Sequence, residues 1–204
     1  MQGYILKITQ AKNEDLIVNI LTPSKLYTLY RFYGARHSTI NVGYKIDFTI
    51  EHQIGYMDRL RNITHLGFPW QRDLERMLLW QRFMKVLYEH LRGIEDIASF
   101  YYHLLEDLSK RITRQDPKRA LIEGYVRLLE YEGRLLKEPL CFVCERKIEE
   151  DPVVVRSYLL AHTACIPKHP LKKSHVAHLF THKDAQYLSE EEVAELFEVM
   201  MQGL

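Results

Sequence analysis

The spacing of the cysteines constrains this chain more than any other feature of its sequence. All three cysteines of the 204-residue chain lie within residues 139–170. Cys141 and Cys144 form a C-x2-C pair, and His162 and Cys165 repeat that spacing after an interval of 17 residues. Two such pairs, brought together by the intervening chain, can close a tetrahedron around Zn²⁺, which prefers Cys and His ligands. The sequence therefore predicts a zinc ribbon or zinc finger in this segment.

Four side-chain ligands would make the zinc structural rather than catalytic, because no coordination position is left for water or substrate. His169 and His175 lie close enough in the sequence to replace His162 as the fourth ligand. Two other interpretations are a redox-active cysteine pair and cysteines that are simply buried. A C-x-x-C oxidoreductase motif normally stands near the start of a βαβ unit, and no such pattern precedes Leu140.

The composition predicts an ordinary globular protein. Hydrophobic residues make up 47% of the chain, enough to fill one large domain or two small ones. No apolar run approaches the roughly 18 residues of a membrane helix, and the N-terminus does not resemble a signal peptide. Cysteines arranged for metal binding suit a reducing compartment, so we expect a cytoplasmic protein. The net charge of +1 neither favours nor excludes nucleic-acid binding.

Residues 1–69 show the pattern of short β-strands separated by turns. The segment Tyr44–Glu51 alternates apolar and polar residues, which predicts a strand with one buried face. Four further segments are rich in strand-forming residues, at residues 3–9, 16–22, 26–33 and 60–66. Five short strands in a segment of this length predict a small closed barrel such as an OB-fold.

From residue 70 onward the hydrophobic period becomes that of α-helices. Apolar residues recur every three or four positions over residues 74–91 and again over residues 97–112. Asp116 followed by Pro117 predicts the start of a third helix, and Ser189 opens a capping box for the last one.

These patterns together predict the α+β fold class. Residues 1–69 are expected to form an N-terminal OB-fold β-barrel. Residues 70–204 are expected to form an α-helical domain that carries the zinc-binding segment at about residues 139–170.

Several of these segments resemble the RecO family of bacterial recombination mediators. The matching N-terminal stretches are, in chain order, Gly3–Lys7, Asn13–Val18, Leu21–Pro23 and Gly34–Ser38. Residues 128–133 and the cysteine-rich segment add a similar order of motifs, so the resemblance covers residues 1–66 and 124–166. Two positions depart from the family pattern. His162 stands where the family more usually has Cys, and the stretch after Arg36 contains only His37 where the family is usually richer in basic residues.

The resemblance implies that residues 1–69 form an OB-fold that binds DNA and that a helical domain with a zinc finger follows it. It implies no bond-making chemistry. RecO proteins bind single- and double-stranded DNA and anneal complementary strands. They also bind the single-strand-binding protein (SSB) and, with RecR, help to load RecA onto coated single strands. We therefore expect a mediator of DNA repair and recombination that is cytoplasmic, nucleoid-associated and not an enzyme.

Non-specific binding of single strands requires cations along the backbone and aromatic faces on which bases stack. The predicted third strand and its surroundings contain both. The candidate DNA-binding residues of the barrel are Lys25, Tyr30, Arg31, Arg36, His37, Lys45, Arg59 and Arg61. A second basic group, which would extend the DNA path, consists of Lys110, Arg111, Arg114, Lys118 and Arg119. The alternatives are tyrosines packed in the barrel wall and charges on a solvated helix face.

Other classes of function fit parts of the sequence. A protein-interaction scaffold without direct DNA contact is compatible with it, because the fold of a barrel does not determine its function. A zinc hydrolase or deaminase fits poorly, since the chain has no H-x-E motif and no proline directly before C-x-x-C. His175, His178 and His182 would form a second metal site or a pH-sensitive patch if they shared one helical face.

Overall fold

A computed structural model describes residues 1–36, 39–94, 96–136 and 138–204 of the chain. They form two compact units, residues 1–113 and residues 114–204. The first unit contains a β-barrel and two helices, and the second contains three helices, a short β-hairpin and the cysteine-rich segment. The predicted boundary at residues 69 and 70 separates strands from helices, whereas the two units divide after Thr113.

Five strands form the barrel of the first unit. They are β1 (Gln2–Gln10), β2 (Leu16–Leu21), β3 (Leu26–Arg31), β4 (Lys45–Glu51) and β5 (Arg59–His65). Neighbouring strands follow the order β1-β2-β3-β5-β4, and β4 pairs with β1 to close the barrel. All of these pairs are antiparallel except β3 with β5, which is parallel. The prediction of a closed five-stranded barrel is therefore confirmed.

Alternation of apolar and polar side chains explains why the barrel closes around one core. Ile46 and Phe48 of β4 point inward and are buried, while Asp47 and Thr49 are exposed. The other strands contribute buried apolar residues to the same core, including Ile5, Val18, Leu29 and Leu60.

Two helices, α1 (Leu74–Leu91) and α2 (Ser99–Arg111), complete the first unit. The buried Trp80 of α1 donates from its indole Nε1 to the carbonyl oxygen of Gly43 at 2.9 Å. Gly43 has a φ of +85°, and a Cβ there would lie 2.7 Å from the Trp80 ring. Only glycine allows this close approach, through which α1 packs against the barrel.

The second unit contains α3 (Pro117–Tyr131), β6 (Val153–Val155), β7 (Leu159–Ala161), α4 (Lys173–His182) and α5 (Glu190–Met200). Asp116 caps α3 with Pro117 at its start, and Ser189 and Glu192 form a capping box on α5. Both predicted helix starts are confirmed. No described helix is both long and apolar enough to cross a lipid bilayer.

Two buried tyrosines connect the elements of the second unit. Tyr125 of α3 donates its hydroxyl to the carbonyl oxygen of Gly203 at 3.0 Å. Tyr158, between β6 and β7, donates to the carbonyl oxygen of Leu196 on α5 at 3.0 Å. These hydrogen bonds satisfy both phenol groups inside the core and hold the hairpin against the last helix.

Candidate metal centre and nucleic-acid interface

The two ligand pairs predicted from the sequence converge in the second unit. The sulfurs of Cys141, Cys144 and Cys165 and a ring nitrogen of His162 all lie within 4.8 Å of one another. The Nδ1 atom of His162 is 3.4 Å from Cys144 Sγ and 4.0 Å from Cys165 Sγ. Tetrahedral Zn²⁺ with ordinary bond lengths would separate sulfur from nitrogen by about 3.6 Å and two sulfurs by about 3.8 Å. The cluster could therefore hold a metal ion.

A tight turn presents the first cysteine pair. The carbonyl oxygen of Cys141 accepts a hydrogen bond from the N–H of Glu145 at 2.7 Å, and Glu145 closes the turn with a φ of +60°. Phe142 donates its N–H to the carbonyl oxygen of Leu160 on β7 at 2.9 Å. Because the second ligand pair directly follows β7, the β6–β7 hairpin brings the two pairs together.

Hydrogen bonding determines which nitrogen of His162 faces the sulfurs. Its Nε2 lies 3.2 Å from the carbonyl oxygen of Lys147, which can only accept, so Nε2 carries the proton. Nδ1 then keeps its lone pair toward the cluster, as in metal-binding histidines held by an outer carbonyl. Of the two alternative fourth ligands, His175 pairs with Glu192 at 2.8 Å, and His169 is not part of the cluster.

The surroundings of the three thiols shift their pKa values in different directions. Burial raises the pKa of Cys141, but hydrogen bonds from backbone N–H groups, including that of Cys144, outweigh it and lower the pKa to about 6. Hydrogen bonds from the backbone and side chain of Arg146 lower the pKa of Cys144. Burial and the two neighbouring thiols raise the pKa of Cys165 to about 11. Because three thiolates this close repel one another, the donor set fits a divalent cation at its centre.

The three histidines of α4 do not form a second cluster. The rings of His178 and His182 lie 4.5 Å apart, whereas His175 is engaged with Glu192. Within the described parts of the chain, the Cys3His cluster is the one group of three or more potential metal ligands. A three-histidine metal site is therefore not formed.

Three of the predicted DNA-binding residues gather on the outside of the barrel, where β3 runs beside β5. Arg59 and Arg61 approach the carboxylate of Glu51 on β4 at 3.6 and 2.5 Å. Arg31 donates from its guanidinium group to the carbonyl oxygen of Leu60 at 3.2 Å. We call Arg31, Arg59 and Arg61 the arginine patch.

The arginine patch has a local excess of positive charge. A hydrogen bond from Arg61 lowers the pKa of Glu51, so this carboxylate is ionised at neutral pH. Burial and the nearby charge of Arg61 lower the pKa of Arg31. The Nε atom of Arg31 is buried without a hydrogen-bond partner. Since Glu51 neutralises one charge of the three, the patch favours a further anion.

Phe32 places an aromatic face beside the arginine patch. The guanidinium carbon of Arg59 lies 4.8 Å from the centre of the Phe32 ring, which is 39% exposed. The ring of Tyr30 contacts Phe32. The Tyr30 hydroxyl donates to the carboxylate of Asp15 at 2.5 Å, and this hydrogen bond holds the Tyr30 side chain in place on the barrel. Sequence reasoning selected Tyr30 and overlooked Phe32. Phe32 directly follows Arg31, the last residue of β3, and this adjacency of an aromatic residue to an arginine could have identified it from the sequence.

Two other predicted residues, Lys25 and Arg36, lie outside the strands of the barrel. Lys25 is exposed in the β2–β3 turn, with its Nζ 5.7 Å from the centre of the Tyr27 ring. Arg36 is exposed and forms an ion pair with Glu14. His37 lies outside the described residues.

Lys45 lies in a different environment from the other candidates of the barrel. Its Nζ is 2.7 Å from the carboxylate of Glu106 on α2, and its side chain is 17% exposed. The buried Tyr4 donates its hydroxyl to the same carboxylate oxygen at 2.6 Å. Lys45 therefore helps to join the barrel to α2.

The second predicted basic group is divided between the two units. Arg119 donates to the carbonyl oxygens of Ala185 and Leu188 at 2.5 and 2.9 Å, and to the carboxylate of Glu190 at 2.7 Å. Its donors are thus used within the second unit, where they hold the loop between α4 and α5. Lys110 and Arg111 lie near the end of the first unit, and Arg114 and Lys118 lie at the start of the second.

The fold and these sites define a class of protein: an OB-fold barrel followed by helices, with a Cys3His cluster that could bind metal. Residues 1–71 match the family model described as RecO N terminal. This match supports a RecO-type protein and agrees with the resemblance seen in the N-terminal sequence motifs. No curated protein matches the chain at a significant level. The family match supports a role in DNA repair and recombination.

Proposed function

We propose that this protein is a recombination mediator whose barrel binds single-stranded DNA at the arginine patch. The observation that carries the proposal is the gathering of three arginines and Phe32 on a barrel that matches the RecO N terminal. Phosphate oxygens would pair with the exposed nitrogens of the guanidinium groups, and a base would stack on Phe32. Contacts of this kind do not read base edges, so binding would not depend on DNA sequence.

Strand annealing follows from the same type of binding. Cations on the phosphate backbone reduce the repulsion between two complementary strands, while the base edges stay free to pair. In line with its family, the proposal extends to double-stranded DNA, to SSB and RecR as partners, and to RecA loading. The protein makes and breaks no covalent bond in this role and is not an enzyme.

We further propose that Cys141, Cys144, His162 and Cys165 hold a structural Zn²⁺. Such an ion would link the turn before β6 to the turn after β7. The hairpin between these turns consists of two strands of three residues each, too short to persist without further support. Zinc would supply that support as a cross-link and leave no position for a substrate.

The annealing of two complementary labelled oligonucleotides by the purified chain tests the proposed function directly. We expect annealing to be faster with the protein than without it, and single-strand binding to weaken steeply as salt rises. Absence of binding at low salt would contradict the proposal and favour a scaffold without direct DNA contact.

Replacing Arg59 and Arg61 together with alanine is expected to weaken single-strand binding and reduce its salt dependence. Each lost phosphate contact lowers the slope of log K against log salt by about 0.7 for single strands, so the double variant should lose about 1.4. Fluorescence anisotropy of a labelled oligonucleotide over a salt series measures both quantities. The variant Arg72→Ala/Lys85→Ala removes two exposed charges elsewhere in the first unit and serves as the control. Equal slopes for both variants would exclude this surface as the binding site.

Glu51→Gln is expected to have the opposite effect. The Glu51 carboxylate competes with DNA phosphate for Arg59 and Arg61, so its neutralisation should strengthen single-strand binding and steepen the salt slope. Glu89→Gln makes the same charge change at an exposed ion pair on α1 and should bind like the wild type. The same salt series measures all three proteins, and weaker binding by Glu51→Gln would contradict the prediction.

A further inference from the structure

The turn between β4 and β5 presents an exposed apolar tip. Ile54, Tyr56 and Met57 in this turn are 101%, 83% and 42% exposed. We call these three residues the hairpin tip. Single exposed apolar residues are ordinary on protein surfaces, but a contiguous group this exposed usually marks a site of interaction.

The hairpin tip is held in place by polar contacts at its base. The carboxylate of Asp58 accepts the N–H of Gln53 at 2.9 Å and lies 2.8 Å from Nδ1 of His52. Gly55 adopts a φ of +76°, which lets the chain reverse at the tip. A tip that is already ordered loses little conformational entropy when it binds a partner.

The hairpin tip is continuous with the arginine patch. The side chain of Gln53 donates to the carboxylate of Glu51 at 3.1 Å, and Arg59 directly follows the base of the turn. Hydrogen bonds from Gln53 and His52 lower the pKa of Asp58, and the positive charge of Lys25 adds to this effect. Cations therefore lie at the base of the turn.

The distance between the tip and the patch suits a nucleic-acid strand. Tyr56 and Arg59 are three residues apart, so their Cα atoms are separated by at most about 10 Å. That span corresponds to about three base steps of a stacked strand at 3.4 Å each. One strand can therefore contact both groups, with phosphates on the arginines and bases at the tip.

We infer that the hairpin tip is a base-stacking wedge, in which Tyr56 and Ile54 insert between neighbouring bases of the bound single strand. The inference rests on the proposed function, because the arginine patch must hold the phosphates of that strand. The adjacent cations favour nucleic acid over an apolar protein partner. Apolar side chains inserted between bases unstack them, and unstacked bases with free edges are ready to pair with a complementary strand. The wedge would thus promote annealing.

The variant Ile54→Ser/Tyr56→Ser tests the wedge, with an oligonucleotide containing 2-aminopurine as the probe. Wild-type protein should raise the 2-aminopurine fluorescence by unstacking the base. The double variant should lose this rise and bind about tenfold more weakly, since stacking on aromatic side chains contributes substantially to single-strand affinity. Its salt slope should equal that of the wild type, because the phosphate contacts remain.

Two further variants control the experiment. Leu74→Ser replaces a 73% exposed residue at the start of α1 and should not alter binding or fluorescence. Tyr56→Phe keeps the aromatic face and should retain the fluorescence rise. Wild-type affinity and fluorescence in the double variant would overturn the wedge and leave the arginine-patch proposal standing. A reduced salt slope would likewise overturn it, and a wild-type protein that binds no DNA would overturn both.

Discussion

Replacing Cys144 with serine is expected to abolish metal binding and to unfold much of the second unit. A serine hydroxyl does not provide the thiolate that this zinc site requires. Structural zinc sites have apparent binding free energies of about 10–16 kcal/mol at pH 7, which matches or exceeds the total stability of about 5–15 kcal/mol of a typical domain. Elemental analysis of the purified protein and a thermal unfolding curve with and without chelator measure the two effects.

The same segment offers matched controls for the zinc prediction. Val143 lies between the two cysteines and is 52% exposed, so Val143→Ser should keep one zinc per chain and the wild-type melting temperature. His162→Cys restores the more usual ligand and should also retain zinc, whereas His162→Ala should weaken its binding. A Cys144→Ser protein as stable as the wild type, together with a wild type unaffected by chelator, would show that the fold needs no metal.

Glu106→Ala is expected to destabilise the first unit by roughly 2–4 kcal/mol. The substitution leaves the Lys45 ammonium group, 17% exposed, and the fully buried Tyr4 hydroxyl without their shared acceptor. The loss of stability is smaller than for a fully buried ion pair, because the Glu106 side chain is 25% exposed. Urea unfolding followed by tryptophan fluorescence measures the change, since Trp70 and Trp80 both belong to this unit.

An exposed ion pair on α1 provides the comparison. Glu89 lies 2.9 Å from Arg92, and their side chains are 41% and 65% exposed. Glu89→Ala should therefore change the stability by less than about 1 kcal/mol. If Glu106→Ala and Glu89→Ala had the same unfolding midpoint, the contacts of Glu106 with Lys45 and Tyr4 would contribute no more to stability than a solvated ion pair.

The contribution of Glu106 should also depend on pH. Burial raises its pKa, but hydrogen bonds from Lys45 and Tyr4 outweigh burial and hold the pKa below the usual value of 4.5. Because the folded protein favours the ionised carboxylate, the stabilisation is present above that value and is lost as the pH falls through the folded pKa. The stability difference between wild type and Glu106→Gln should narrow below about pH 4.5.

Local patterns in the sequence predicted much of this fold. Strand alternation in β4 and the helix starts at Asp116 and Ser189 involve residues close together in the chain, so they are visible without the tertiary structure. Helix α4 was not predicted as an element. It spans 10 residues, and its buried residues, Val176, Leu179 and Phe180, cover little more than one turn, which is a short stretch for a periodic signal.

The sequence predicted the metal site only in part. The spacing of Cys141, Cys144, His162 and Cys165 was sufficient to predict the cluster, because a metal site restricts both residue type and interval. The choice of His162 over the nearby histidines required the structure. It depends on the β6–β7 hairpin, which positions the ring, and on the Lys147 carbonyl group, which orients it.

By itself, the sequence determined the barrel, the main helices, the Cys3His cluster and the similarity of the N-terminal segment to RecO, because each depends on residue type and spacing along the chain. The tertiary structure alone decided the environment of each basic residue. Lys45 meets Glu106 of α2, Arg119 holds a loop of its own unit, and Arg59 joins Arg31 across two strands. The partners of a charge are brought near it by the packing of distant elements, and no local pattern of residues encodes that packing.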